Sequence, residues 1–232
     1  MNTAVTTNHP VNKLLPKILI RVFFAIIFIG VLIFVPAGNI RFLNGWLFIG
    51  GIFLPMTFTL IYFYTKDPEL LEKRMNIKEK EDAQKKYLKL SLILFVAAYI
   101  IPGLDYRFHW SEVPMWLVLV ALVIMICGYI MFIVVMKQNR YASRVIEIQH
   151  EQKLIDTGLY SLVRQPMYTA ATILYLSSVL VLGSYYALIP MLLLPFLLAL
   201  RINNEEKVLI QGLPGYEEYM KRVKYRMIPL IW

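Results

Sequence analysis

The chain has 232 residues, of which 59% are apolar and 17% charged, with a formal net charge of +9 and a single cysteine. So apolar a composition excludes an ordinary soluble domain, and one cysteine excludes a disulfide framework or a cysteine-based metal centre. The basic residues alternate with carboxylates beside apolar runs, so the positive charge reads as attraction to anionic lipid headgroups, not to nucleic acid.

In chain order, residues 1–12 are polar, and the apolar run behind them has no small-residue cleavage site, which reads as a retained anchor. A first span is expected from Ile18 to Val35, preceded by Lys13, Lys17 and Arg21. A second runs from Gly45 to Tyr64, with Trp46 and Tyr62 or Tyr64 at the interfaces. A third, shorter one covers Leu88 to Leu104, and a fourth Pro114 to Met136. The apolar stretch from Met167 to Leu200 is too long for one span, and Gly183-Ser184 near its middle supplies a turn, so it reads as a helical hairpin. The fold class expected is all-α: a polytopic helical membrane protein of six spans with a C-terminal helical segment. It reads as one domain over 1–232, divided into a four-span part (1–136) and a second part (137–232).

Lysine and arginine set the expected orientation. Of 24 such residues, only Arg41 and Arg107 fall in the loops assigned to the outer face. That bias predicts both termini, and the polar segments between spans two and three and between four and five, on the cytoplasmic side. In the first of these segments Asp67-Pro68-Glu69 reads as a helix start, and Leu70, Leu71 and Met75 recur at helical spacing, which predicts an amphipathic interfacial helix. The run from Lys78 to Lys86 reads as a solvated face. After span four, Asn139, Arg140, Tyr141, Arg144, Glu147 and His150 lie in a polar stretch without a clear period.

The stretch Asp156 to Tyr168 reads D-T-G-L-Y-S-L-V-R-Q-P-M-Y. Polar and conformationally special residues at a membrane boundary are costly unless they bind something. This stretch resembles the signature of the isoprenylcysteine carboxyl methyltransferase and phospholipid methyltransferase superfamily, G-x-Y-x-x-V-R-H-P-x-Y. Gly158, Tyr160, Val163, Arg164, Pro166 and Tyr168 match, while Gln165 replaces the histidine and Ala170 a following glycine. Further on, Arg201, Glu205-Glu206, the break Gly212-Leu-Pro-Gly215, Tyr216-x-x-Tyr219-x-x-Arg222-Val and Arg226-x-x-Pro229 resemble the second signature of the same superfamily.

The resemblance implies a membrane enzyme that transfers a methyl group from S-adenosylmethionine to a lipid-like acceptor, most nearly the carboxylate of an isoprenylcysteine. It implies a cofactor pocket lined by Gln152, Lys153, Leu154, Ile155, Tyr160, Gln165, Pro166, Met167, Tyr168, Glu205 and Glu206. Arg201 and Arg164 take the catalytic assignments: Arg201 holds the acceptor's anionic group, while Arg164 and Glu206 support the shell around it. Methyl transfer needs alignment and desolvation more than acid–base groups, and a carboxylate is already a nucleophile at neutral pH. Glutamine at 165 keeps a donor and an acceptor but cannot become cationic.

Plainer readings stand beside these. Arg201 and Glu205 form an i,i+4 pair worth a few tenths of a kcal/mol at an exposed interface; Tyr160, Tyr168, Tyr185 and Tyr186 belong to aromatic belts; Arg164 snorkels; Gly158 stops a helix. For Tyr185 and Tyr186 the belt is the preferred reading. The ordered pair of signatures weighs against the plainer readings for the others. His9, His109 and His150 lack ligand spacing, and no strand-linked G-x-G-x-x-G is present, so neither a metal centre nor a Rossmann-type domain is expected. The alternatives are methylation of a phospholipid amine or a thiol, an NADPH-dependent sterol-type reductase, and a non-catalytic scaffold.

Overall fold

The computed structural model describes residues 11–75, 82–141 and 152–232. His9, the run 76–81 and the stretch carrying Arg144, Glu147, His150 and Glu151 lie outside the described residues. The remainder is helical: α1 (Val11–Ala37), α2 (Leu43–Lys66), α3 (Pro68–Met75), α4 (Asp82–Phe108), α5 (Met115–Gln138), α6 (Pro166–Val181), α7 (Leu188–Leu192), α8 (Leu194–Gly212) and α9 (Tyr216–Arg222). Helices are what lipid demands, because every backbone N–H and C=O must find its partner within the segment.

Among the described residues, five helical stretches are long and apolar enough to cross a membrane: Leu14–Ala37, Leu43–Lys66, Tyr87–Phe108, Met115–Gln138 and Leu188–Gly212. The hairpin after the signature forms, but its arms are unequal. Its first arm, α6, has 16 residues, roughly 24 Å of helix against a hydrocarbon core of about 30 Å. Five long helices and one short one stand where six spans were expected. Gly183, at φ 78, makes the turn, and Ser184 behind it donates to the buried Asp105. Asp105 also accepts from the Ser111 backbone N–H and hydroxyl, each at 2.7 Å, so this carboxylate ties the α4–α5 loop to the hairpin turn.

The core joins Ile33 of α1, Phe48 of α2, Tyr99 of α4, Met125 of α5 and Leu174 of α6. Helices α5 and α6 come close at Gly128, where an added Cβ would stand 3.0 Å from the Leu174 nitrogen and 3.3 Å from the Ala170 carbonyl. Small residues at such a crossing let two backbones meet without lipid between them.

The helix start at Asp67 is present: its Oδ1 accepts from the Leu70 N–H at 3.2 Å. The apolar face of α3 differs from expectation. Leu70 and Leu71 are buried against Leu14, Ile18, Phe63 and Met136, so this face covers other helices and not the lipid surface. Arg140 pins the junction through two hydrogen bonds to the Asp67 carboxylate, at 2.8 and 2.9 Å.

Candidate active site

At the end of the bundle where α5 and α8 finish and α6 begins, the two polar signatures come together. The Arg164 and Gln165 N–H groups precede α6 and have no partner within it. They donate to the carbonyls of Tyr225 and Arg226, at 2.9 and 2.8 Å, and Thr169 Oγ1 donates to the Met227 carbonyl at 2.7 Å. The chain after α9 therefore runs alongside the start of α6. Pro166, at the first position of α6, has no N–H to satisfy.

Arg164 locks this arrangement from inside. Its Nε meets Glu206 Oε1 at 2.7 Å, and its Nη1 donates to the carbonyls of Val223 and Lys224 at 2.7 and 2.8 Å. Arg226 Nε reaches the other Glu206 oxygen, also at 2.7 Å. The Glu206 side chain is only 2% exposed. A carboxylate can be buried so deeply only when it is paired and hydrogen-bonded on both oxygens. The reading of Arg164 as a snorkelling anchor gives way to this buried clamp.

The first signature is fixed from two more directions. Tyr219 Oη donates to the Tyr160 carbonyl at 2.7 Å, and Asn139 Nδ2 donates to the Tyr160 hydroxyl at 2.9 Å. Gln138 Oε1 accepts from the Leu159 N–H at 3.1 Å, directly beside Gly158. Gly158 has φ 62, and an added Cβ would collide with the Gln138 amide.

Between these elements lies a cavity of about 690 Å³, within the range of small-molecule and cofactor sites. On its wall the Tyr168 hydroxyl donates to Glu205 Oε2 at 2.6 Å and accepts from Arg201 Nε at 3.0 Å. One phenol thus couples the i,i+4 pair of α8 to the start of α6. The exposed ion pair of the plainer reading is instead a partly buried three-membered group. Lys153, Arg164, Arg201 and Glu205 are the charged residues of the described wall. Away from them the wall turns apolar, with Leu88, Leu92 and Phe95 of α4 facing Leu194, Leu197 and Leu198 of α8. From Leu194 to Glu205 is roughly 16 Å along the helix.

Of the residues predicted from the sequence, Gln152, Lys153, Leu154, Ile155, Tyr160 and Arg164 line the cavity, as do Gln165, Met167, Tyr168, Arg201 and Glu205. Pro166 and Glu206 are not on its wall: Pro166 starts a helix, and Glu206 sits behind the wall between two arginines. Sequence reasoning left unassigned Asn139, Tyr141, Tyr216, Tyr219 and the α4 face that includes Tyr87 and Ser91. The Y-x-x-Y spacing signalled the α9 tyrosines, and Ser91 four residues from Tyr87 in an apolar run was the one cue for α4.

The donor set suits a nucleotide-like amino-acid cofactor: a carboxylate and hydroxyls for ammonium and ribose groups, with tyrosines and leucines for a purine face. The Tyr216 hydroxyl is buried with no hydrogen-bond partner among the described residues. Burial, then the nearby Glu206 and Glu205, push its pKa up, so it remains a protonated donor. Among the described residues no His, Cys, Asp and Glu cluster could hold a metal ion.

Residues 116–213 match the model of a family described as phospholipid methyltransferase, one of the families of the integral membrane methyltransferase superfamily that the two signatures resemble. The matched segment spans α5 to α8 and includes the first signature and the Arg201–Glu206 stretch. A search among curated proteins finds no match.

Proposed function

We propose that this chain, a membrane protein whose residues 116–213 carry the methyltransferase family match, transfers a methyl group from S-adenosylmethionine to a lipid-borne carboxylate of the isoprenylcysteine type. The observation that carries this reading is the Tyr168 hydroxyl held between Glu205 and Arg201 on a cavity wall that continues into an apolar stretch between α4 and α8. The orientation read from the lysine and arginine distribution has this cavity open to the cytoplasm.

When bound, S-adenosylmethionine supplies a sulfonium methyl group, and an acceptor oxygen forms the new C–O bond as the C–S bond breaks, with sulfur keeping the electron pair. The chain's own residues bind and align. Glu205 takes the cofactor's ammonium or ribose side, and Arg201 the acceptor anion, for which a guanidinium is suited. Gln152 to Ile155, Tyr160, Gln165, Met167 and Tyr168 close around the cofactor. Arg164 and Glu206 act as positioning residues, because their charges are spent on each other, on Arg226 and on backbone carbonyls. Leu88, Leu92, Phe95 and the facing leucines of α8 accept the apolar chain of the acceptor and exclude water, which strengthens every charge interaction in the site. With Arg164 spent on Glu206, Lys153 and Arg201 still outnumber Glu205 on the wall, which favours an anionic acceptor over an ammonium.

A second reading is N-methylation of a phospholipid amine, in keeping with the description of the matching family. Incubating the purified chain with radiolabelled S-adenosylmethionine and three acceptors separates the possibilities. Label in a prenylcysteine carboxylate supports the proposal, whereas label only in a phospholipid amine or a thiol overturns it.

A further inference from the structure

The chain's last residues form an apolar hook that methyl transfer does not use. After Met227 the backbone turns sharply: the N–H groups of Met227 and Ile228 both donate to the Trp232 carbonyl, each at 3.0 Å. Leu230, at φ 67, is in the left-handed region that side chains rarely adopt. This closed turn displays Ile228, Leu230 and Ile231 at 42%, 83% and 76% exposure. Three neighbouring large apolar side chains so exposed mark a contact surface.

Three observations identify what covers it. Thr169, in the first turn of α6, donates to the Met227 carbonyl, so the hook lies at the level where α6 begins its apolar run. Exposed Lys221 and Lys224 sit just before the hook, an arrangement that suits anionic headgroups. Trp232 packs under the Arg226 guanidinium, 5.1 Å from its ring centre, a pairing at home at a membrane interface. We infer that the C-terminal hook is an interfacial anchor whose Ile228, Leu230 and Ile231 insert among the headgroups of an anionic leaflet. Through Arg226 and Glu206 the anchor holds the 223–227 segment against α8, while the Arg164 and Gln165 N–H groups hold it at the start of α6. The inference does not depend on the methyl-transfer reading.

The test uses the full chain with its one cysteine, Cys127, replaced by alanine and an environment-sensitive fluorophore attached through Ile231→Cys, with Glu218→Cys on the exposed side of α9 as the aqueous control. Both proteins are reconstituted in vesicles of phosphatidylcholine with or without phosphatidylglycerol, some carrying a quencher near the headgroup. The expected result is blue-shifted emission at position 231, quenched strongly and more so with phosphatidylglycerol, while position 218 stays water-like. Equal behaviour at the two positions overturns the inference. So does disulfide cross-linking between copies of the unlabelled Ile231→Cys protein together with an absence of lipid quenching in the labelled one, which would make the hook an interface with a second copy. Leu230→Cys, labelled in the same way, provides an independent reading should the first variant fold poorly.

Discussion

Arg164 Nε and Glu206 Oε1, forty-two residues apart in the chain, meet at 2.7 Å in the interior, with side chains 5% and 2% exposed. The pair joins the first signature to the second, and Arg226 completes it from the C-terminal segment. Removing the carboxylate strands two guanidiniums. Glu206→Ala is expected to destabilise the fold by about 3–5 kcal/mol, the usual result of leaving buried charges unpaired. Arg226→Ala should cost less, because that side chain is 30% exposed. Thermal unfolding of the detergent-solubilised variants measures both, and equal losses would contradict the clamp.

Tyr219→Phe removes one hydroxyl and leaves the Tyr160 carbonyl without the donor that reaches it at 2.7 Å. A loss of about 1–3 kcal/mol is expected in the same unfolding measurement. Burial, then the neighbouring Tyr160, raise the Tyr219 pKa above its ordinary 10.0. Because the folded-state value is the higher one, the stability from the neutral hydroxyl is fully present below pH 10 and is lost as pH rises beyond it. Stability followed from neutral to strongly alkaline pH should therefore fall less in Tyr219→Phe than in the parent.

Tyr168→Phe keeps the ring and deletes the link between Glu205 and Arg201. If that link aligns donor and acceptor, kcat should drop about 10- to 100-fold, the equivalent of one or two strong hydrogen bonds, with little change in unfolding temperature. A parent-like kcat would show the hydroxyl to be structural only.

Arg201→Ala should raise KM for a carboxylate acceptor about 10- to 100-fold while donor affinity stays near that of the parent. Glu205→Ala should do the reverse. Paired steady-state kinetics and donor titrations check the exchange, and matching losses in both variants would mean that the two side chains do not divide the site.

How far the sequence foretold this arrangement depended on the kind of signal each residue carries. Tyr168, Arg201 and Glu205 stood out through the ordered pair of signatures they belong to, since a tyrosine or a charged residue at a helix end beside lipid is ordinary by itself. Leu88, Leu92 and Phe95 did not, because a helix face that meets bilayer lipid and one that meets a lipid substrate have the same composition. Leu70 and Leu71 misled for a related reason: an amphipathic period says which side of α3 is apolar, not whether lipid or protein covers it. The hairpin was legible from length and from Gly183, but its unequal arms were not, since a continuous apolar run gives no boundary until the backbone turns. Glu206 was recognised as a signature residue, yet its place behind the wall is set by Arg226, twenty residues further on.

The central claim is that the two signatures close around S-adenosylmethionine. Calorimetric titration of the purified full chain with S-adenosylhomocysteine tests it most directly, with NADPH as the competing ligand. Saturable binding of S-adenosylhomocysteine, weakened in Glu205→Ala, and no binding of NADPH is the predicted result. Selective binding of NADPH, or no response to S-adenosylhomocysteine from folded protein, would contradict it.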